Sequence, residues 1–224
     1  ARDPEGLPDD HQIAATARRM ADELAALRKA PLAEPFVGPA IMCNRASAVF
    51  YHEILGHRVE GHRQKDVTEG QTFKKKVGEK ILPPFISVFD DPSISSYRGL
   101  KLMGDYPYDD EGVAAERVDI ISQGVLRNFL MSRSPIAGFP RSNGHGRGTI
   151  GQQPVSRMAN TVIQSGRTVA FAELKKQLLA EIRRQKKPYG LMFTDISGGF
   201  TMTSTYMPQS FKVLPVMVYK IYPD

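Results

Sequence analysis

The chain has 224 residues and a formal net charge of +6, with 24% charged and 41% hydrophobic residues, the make-up of a soluble globular protein long enough for one large domain. It contains no apolar run near the ~20 residues that cross a bilayer, and its single cysteine, Cys43, excludes an internal disulfide framework and a four-cysteine metal site built from this chain alone. The positive charge is concentrated in Lys74, Lys75, Lys76 and Lys80 and in Arg183, Arg184, Lys186 and Lys187; no aromatics interleave with the lysines, and cations at a helix end answer the helix dipole, so neither a nucleic-acid nor a membrane partner is expected.

In chain order, the polar start "RDPEGLPDD" follows Ala1 without an initiator methionine or an apolar targeting segment. The expectation is an internal portion of a longer protein, cytoplasmic, whose true termini and compartment are not written in these residues. Asp9 or Asp10 can cap a helix with a one-sided stripe of Ile13, Ala17, Met20, Leu24 and Leu27, closed by Pro31 and Pro35. Residues 1–35 thus read as a helical segment, linking to a further domain upstream, and 36–224 as the core. "FVGPAIM" (Phe36 to Met42) reads as a short buried strand, and Asn44 as the cap of the next helix. From Lys76 to Ser132 the pattern is extended, with "VDIIS-QG-VLRNFLM" reading as a hairpin turned at Gln123-Gly124. Residues 138–156, rich in glycine and polar side chains, are too long for a simple connection and predict a functional or mobile loop. Phe171, Leu174, Leu178, Leu179 and Ile182 mark a second amphipathic helix, and "YGLMFTDISGG" and "FKVLPVMVYKIY" return to strands. Helices near both ends of a strand run predict an α+β fold, antiparallel strands packed with a few amphipathic helices.

The stretch "FYHEILGHRVEGH" (Phe50 to His62) carries three of the five histidines, His52, His57 and His62, with Glu53 after the first. The zinc-peptidase pattern H-E-x-x-H sets its histidines at i and i+4 on one helix face; here the second comes one residue late. A regular helix leaves residues five apart roughly 140° from each other. A π-bulge would bring them within roughly 50°, and a helix that ends near Gly56 could equally turn His57 inward. The metal motif is therefore expected on a distorted or broken helix.

These residues resemble the H-E-x-x-x-H helix of the TldD/PmbA family, also called modulators of DNA gyrase. "YDDEGVAAERVDIISQGVLRNFLMS" (Tyr108 to Ser132), "NGHGRG", "SRMANTVIQSG" (Ser156 to Gly166) and "YGLMFTDISGGF" resemble further segments of the family in the same order, so that the likeness runs from about residue 36 to about residue 218. The resemblance implies a zinc metallopeptidase acting on unfolded or leader-type peptides, with His52 and His57 holding Zn2+ and Glu53 as general base taking the proton of a water that the ion acidifies. It also implies a homodimer, or a heterodimer with a TldE/PmbA-like paralogue. The alternative is a non-catalytic TldE/PmbA-like partner or regulatory protein-binding module that keeps the histidine helix as a relic.

The third zinc ligand implied by the family is a cysteine beyond Asp224, so the isolated segment is expected to bind zinc weakly and to be inactive. Within the chain, His62 and His145 are the candidates for that ligand, and Cys43 reads as a small buried residue. Arg157 and Asn160 are candidates for contact with a peptide carboxylate or backbone. Asp109, Asp110 and Glu111 could meet a substrate amine or form a solvated turn.

Overall fold

The computed structural model describes residues 6–69, 72–208 and 210–223, and the chain divides into two compact units between Val37 and Gly38. In the first, α1 (Asp10–Leu27) starts at a reciprocal cap, in which Gln12 N donates to Asp9 Oδ1 at 2.7 Å and Asp9 N donates to Gln12 Oε1 at 3.1 Å. That satisfies two otherwise orphaned amide groups and sets the helix start. None of the residues of α1 is buried.

The second unit runs β1 (Ala40–Met42), α2 (Asn44–Ile54), β2 (Ile86–Asp90), β3 (Ser96–Tyr97), β4 (Leu100–Lys101), β5 (Val118–Ser122), β6 (Val125–Leu126), β7 (Gly146–Arg147), β8 (Val155–Ser156), β9 (Thr161–Ser165), α3 (Phe171–Arg184), β10 (Gly190–Met202) and β11 (Ser210–Ile221). The fold is α+β, as helices flanking a run of strands predict. One sheet has the order β1-β10-β11 and the other β6-β5-β2-β9. All pairings are antiparallel except β1 with β10, which is parallel. Two short hairpins, β3-β4 and β7-β8, stand outside these sheets.

The turn at Gln123-Gly124 forms as predicted: both residues have positive φ, 48° and 82°, the twist that a two-residue hairpin needs. A Cβ on Gly124 would lie 2.3 Å from the Leu82 carbonyl oxygen, so only glycine fits. The predicted second strand is shorter than its apolar run. β6 ends at Leu126, where the amides of Arg127 and Asn128 both point at the Ile120 oxygen, at 2.8 and 3.3 Å, and the chain leaves the sheet. Phe129, Leu130 and Met131 instead enter the main core with Val88, Ile120, Ile121 and Leu126, each fully buried side chain contributing about 1.5–3 kcal/mol.

Two local expectations are corrected. The strand predicted over Phe36 to Met42 is confined to Ala40–Met42. Asn44 is the first helical residue rather than the cap of α2; Cys43 takes that place, without a side-chain cap hydrogen bond, and Asn44 has a φ of 42°.

Candidate metal centre

Helix α2 carries His52 and Glu53 and ends at Ile54; Gly56–Val59 continue as a 3₁₀ turn that carries His57. The break has a packing cause. Leu55 and Val59 are buried in the main core, and between them the Met158 side chain lies against Gly56, its Sδ 2.1 Å from where a Cβ would stand. Beyond the turn, Leu130 N donates to Val59 O at 3.0 Å and Gly61 N donates to Leu130 O at 2.8 Å. Those two bonds engage the backbone with Leu130 where an α-helix would need it for its own ladder. A break, rather than a π-bulge, answers the five-residue spacing.

The outcome is convergence. Ligand atoms of His52, Glu53 and His57 all lie within 4.8 Å of one another, the only such group of three His, Cys, Asp or Glu among the described residues. The two imidazoles meet edge to face, 4.6 Å between centroids, and His57 Nε2 stands 3.9 Å from Glu53 Oε2. Glu53 is buried and is reached from β10: Thr201 Oγ1 lies 2.5 Å from its Oε2 and 2.7 Å from its carbonyl oxygen.

Glu60, fully buried, sits behind His57. His57 Nδ1 is 3.1 Å from Glu60 Oε1, Arg63 Nε donates to Oε2 at 2.7 Å, and Arg157 Nη1 lies 3.4 Å from both oxygens. Burial alone would raise the Glu60 carboxyl, but the hydrogen bond from His57, the charge of that imidazole when protonated, and the charge and hydrogen bond of Arg63 outweigh it and hold the group below the ordinary carboxylate range. His52 is lowered from the usual imidazole value, by desolvation first and by the neighbouring His57 next. A neutral imidazole is the form that binds a metal. Two imidazoles with a carboxylate beside them are donors that zinc accepts, and with Nδ1 of His57 occupied by Glu60 its Nε2 remains to bind. The residues present fit the ion.

The other candidates go elsewhere. His145 is fully buried, its Nδ1 2.9 Å from Asn143 O and its Nε2 3.3 Å from Asp90 Oδ1, and it lies outside the histidine group. His62 is half-buried, its Nδ1 without a hydrogen-bond partner, and burial lowers its pKa; it too is outside the group. Half-buried Cys43 packs beside Ile41, Leu178 and Ile182. The Asn160 amide is engaged within the fold: Gly104 N donates to Oδ1 at 3.0 Å and Nδ2 donates to Ile94 O at 2.9 Å. Arg157 remains half-exposed beside Glu60. The acidic cluster staples backbone: Asp109 accepts from Glu111 N, Val113 N and Gly146 N, Asp110 from Gly148 N, and Glu111 from Arg133 N. Together with the His145–Asp90 contact these bonds pin much of the 138–156 stretch.

Sequence reasoning missed Glu60, Thr201 and Asp90. Asp90 is fully buried and accepts from Ala159 N, Asn160 N and Thr161 Oγ1 as well as facing His145. A doubled aspartate at the end of an apolar run, Asp90-Asp91, was the only trace of it in the sequence.

Residues 37–215 match the family model described as the PmbA/TldA metallopeptidase C-terminal domain. A metalloprotease of Archaeoglobus fulgidus is 34% identical over 126 residues, which are 56% of this chain and 28% of that protein. A zinc metalloprotease TldD homolog of Saccharolobus solfataricus is 28% identical over 130 residues, 57% of this chain and again 28% of the relative. TldE from Thermococcus kodakarensis superposes with a TM-score of 0.58 at 23% identity, covering 83% of this chain and 38% of that one; at that identity the likeness concerns the fold alone. The chain spans little more than a quarter of the length of the relatives it matches.

Proposed function

The chain belongs to the PmbA/TldA metallopeptidase C-terminal domain family, and on that premise we propose that it carries the metal-binding histidines and the general base of a zinc-dependent peptidase. The observation that carries this reading is the meeting of His52, Glu53 and His57, brought about by the helix break before Gly56. Zinc, when bound, supplies a Lewis acid that polarises an amide carbonyl and acidifies water. His52 and His57 would hold the ion. Glu53, buried and steadied by Thr201, would accept a proton from the attacking water and return it to the leaving amine. A catalytic zinc site usually has three protein ligands; no third one joins these among the described residues, and we place it, a cysteine by the family resemblance, outside this segment.

A groove of about 800 Å³ opens beside His52, lined by Ser47 and Tyr51 of α2 and by Thr161, Ile163 and Ser165 of β9. β9 ends its sheet, with one edge unpaired among the described residues. An extended peptide laid there would gain backbone hydrogen bonds that ignore side-chain identity, which suits unfolded or leader-type peptides. A partner of the TldE kind, or a second copy, would complete the assembly.

The test is zinc content by atomic spectroscopy on the complete protein, alongside hydrolysis of an unfolded peptide. The reading expects about one zinc per chain, lost in His52→Ala and His57→Ala together with hydrolysis. A complete protein that binds no zinc and cleaves nothing would refute it and favour the non-catalytic partner.

A further inference from the structure

Glu60 has no part in the chemistry above, yet it is the most completely enclosed carboxylate next to the site. Its side chain is inaccessible to solvent. Its backbone is fixed by a bridge to Leu130, and its oxygens meet His57 Nδ1, Arg63 Nε and Arg157 Nη1. Arg63 is fixed in turn, donating to Glu69 Oε2 at 3.2 Å and to Thr203 Oγ1 at 3.0 Å. Thr203 stands two residues beyond Thr201, which holds Glu53. The end of β10 and the residues just after it thus set both Glu53 directly and His57 through Arg63 and Glu60.

We propose that Glu60 is a positioning residue that fixes His57 as the Nδ1–H tautomer and so presents a bare Nε2 on the side of Glu53 and His52. The proposal rests on reading His57 as a metal ligand. Both Glu60 oxygens face guanidinium N–H groups, Arg63 Nε at 2.7 Å from Oε2 and Arg157 Nη1 at 3.4 Å from each, so the carboxyl is surrounded by donors and takes the acceptor's part. His57 Nδ1, 3.1 Å away, must therefore carry the proton; its lone pair there would face negative charge. A neutral ring has one N–H, so the lone pair falls on Nε2, the nitrogen nearer Glu53. Free histidine side chains favour the opposite tautomer, which makes the assignment a strong one to test. A carboxylate behind a ligating imidazole also raises its basicity, and loss of such a partner typically weakens metal binding about 10–100-fold.

The competing explanation is that Glu60 merely balances the charges of Arg63 and Arg157. Two measurements separate the roles. Long-range ¹H–¹⁵N NMR of the labelled, metal-free protein, recorded at alkaline pH where the ring carries a single N–H and with the His57 signals identified by their loss in His57→Gln, is expected to show a protonated Nδ1 and a bare Nε2. The reverse tautomer overturns the proposal, and because no metal is involved this result is independent of whether the protein is a zinc peptidase. In the complete protein, Glu60→Gln is expected to lower zinc affinity about 10–100-fold in competition with a chromophoric chelator and to shift the visible spectrum of the cobalt-substituted form, with Glu60→Asp recovering part of both. Unchanged affinity and spectrum in a folded Glu60→Gln variant overturn it. Should that variant not fold, the tautomer of the unsubstituted protein decides alone.

Discussion

Thr201 Oγ1 lies between two oxygens of Glu53, 2.5 Å from the carboxylate Oε2 and 2.7 Å from the backbone carbonyl. One hydroxyl proton cannot serve both acceptors at once. When Glu53 is ionised, Thr201 donates to the carboxylate; when Glu53 holds a proton, the carboxyl donates to Thr201 and Thr201 donates to the carbonyl. Buried Glu53 therefore has a hydrogen-bond partner in both protonation states, as the proposed role of general base requires.

Thr201→Val removes that partner at nearly constant volume. A hydrogen bond to a charged group contributes about 1.5–3 kcal/mol, so kcat in the complete protein should fall about 10–100-fold while zinc content stays unchanged. Steady-state kinetics with metal analysis on the same samples checks this, and an unchanged kcat would remove Thr201 from the positioning of Glu53.

Gly61 tests the helix break. A Cβ there would lie 2.8 Å from the Leu130 carbonyl oxygen and 2.4 Å from Met131 Sδ, so Gly61→Ala must push apart the bridge that ends the motif. The expected cost is about 1–3 kcal/mol, read as a lowered urea midpoint. Gly198→Ala is the control, with nothing within 4 Å of its Cβ and no positive φ; equal midpoints for the two variants would show that the contact with Leu130 does not shape the motif.

The Asp90 carboxylate gathers His145, the amides of Ala159 and Asn160 and the Thr161 hydroxyl with both side chains of the His145 pair fully buried. Asp90→Asn leaves donors facing a group that cannot accept them all, and breaking a buried pair costs about 3–5 kcal/mol. Hydrogen exchange should also speed up at Arg157, whose amide donates to the His145 carbonyl at 2.9 Å. Unaltered stability and exchange would mean that the pair is not what pins the 138–156 stretch.

His52 and His62 are both held below the ordinary imidazole value, desolvation being the first cause in each. The unfolded chain then takes up protons from about pH 6.5 downward that the folded chain resists, so stability falls as pH drops below that point. Metal-free protein should lose more stability between pH 7.5 and 5.5 than the His52→Gln, His62→Gln double variant does, measured by urea denaturation at both values. Identical losses would show that these two histidines contribute nothing to the slope.

Much of this was legible in the sequence where the cause is local. Asp9 or Asp10 marks a helix start, Gln123-Gly124 a tight hairpin, and the apolar spacing of Phe171 to Ile182 a helix face; that Asp9 caps, with Gln12 answering it, is decided by the fold. The five-residue histidine step announced a distortion because helix geometry alone forbids a shared site. The kind of distortion was not legible, since it is imposed by Leu130, which is 70 positions away from Glu60 across their bridge. Glu60 and Thr201 were missed for the same reason: a glutamate on a polar stretch and a threonine in a strand acquire meaning only when Arg63 and Glu53 arrive beside them. His145 shows the converse, a histidine in a metal-like setting of sequence that the fold uses with Asp90.

In the proposed site Glu53 is the base of a metal-dependent hydrolysis whose ion His52 and His57 hold. Glu53→Gln in the complete protein tests it most directly, with zinc content and hydrolysis of an unfolded peptide measured on one preparation. Zinc is expected at the unsubstituted level and hydrolysis reduced at least about 100-fold, at the low end of what a positioned base contributes, about 10²–10⁴. Undiminished hydrolysis in the zinc-loaded variant would contradict that assignment.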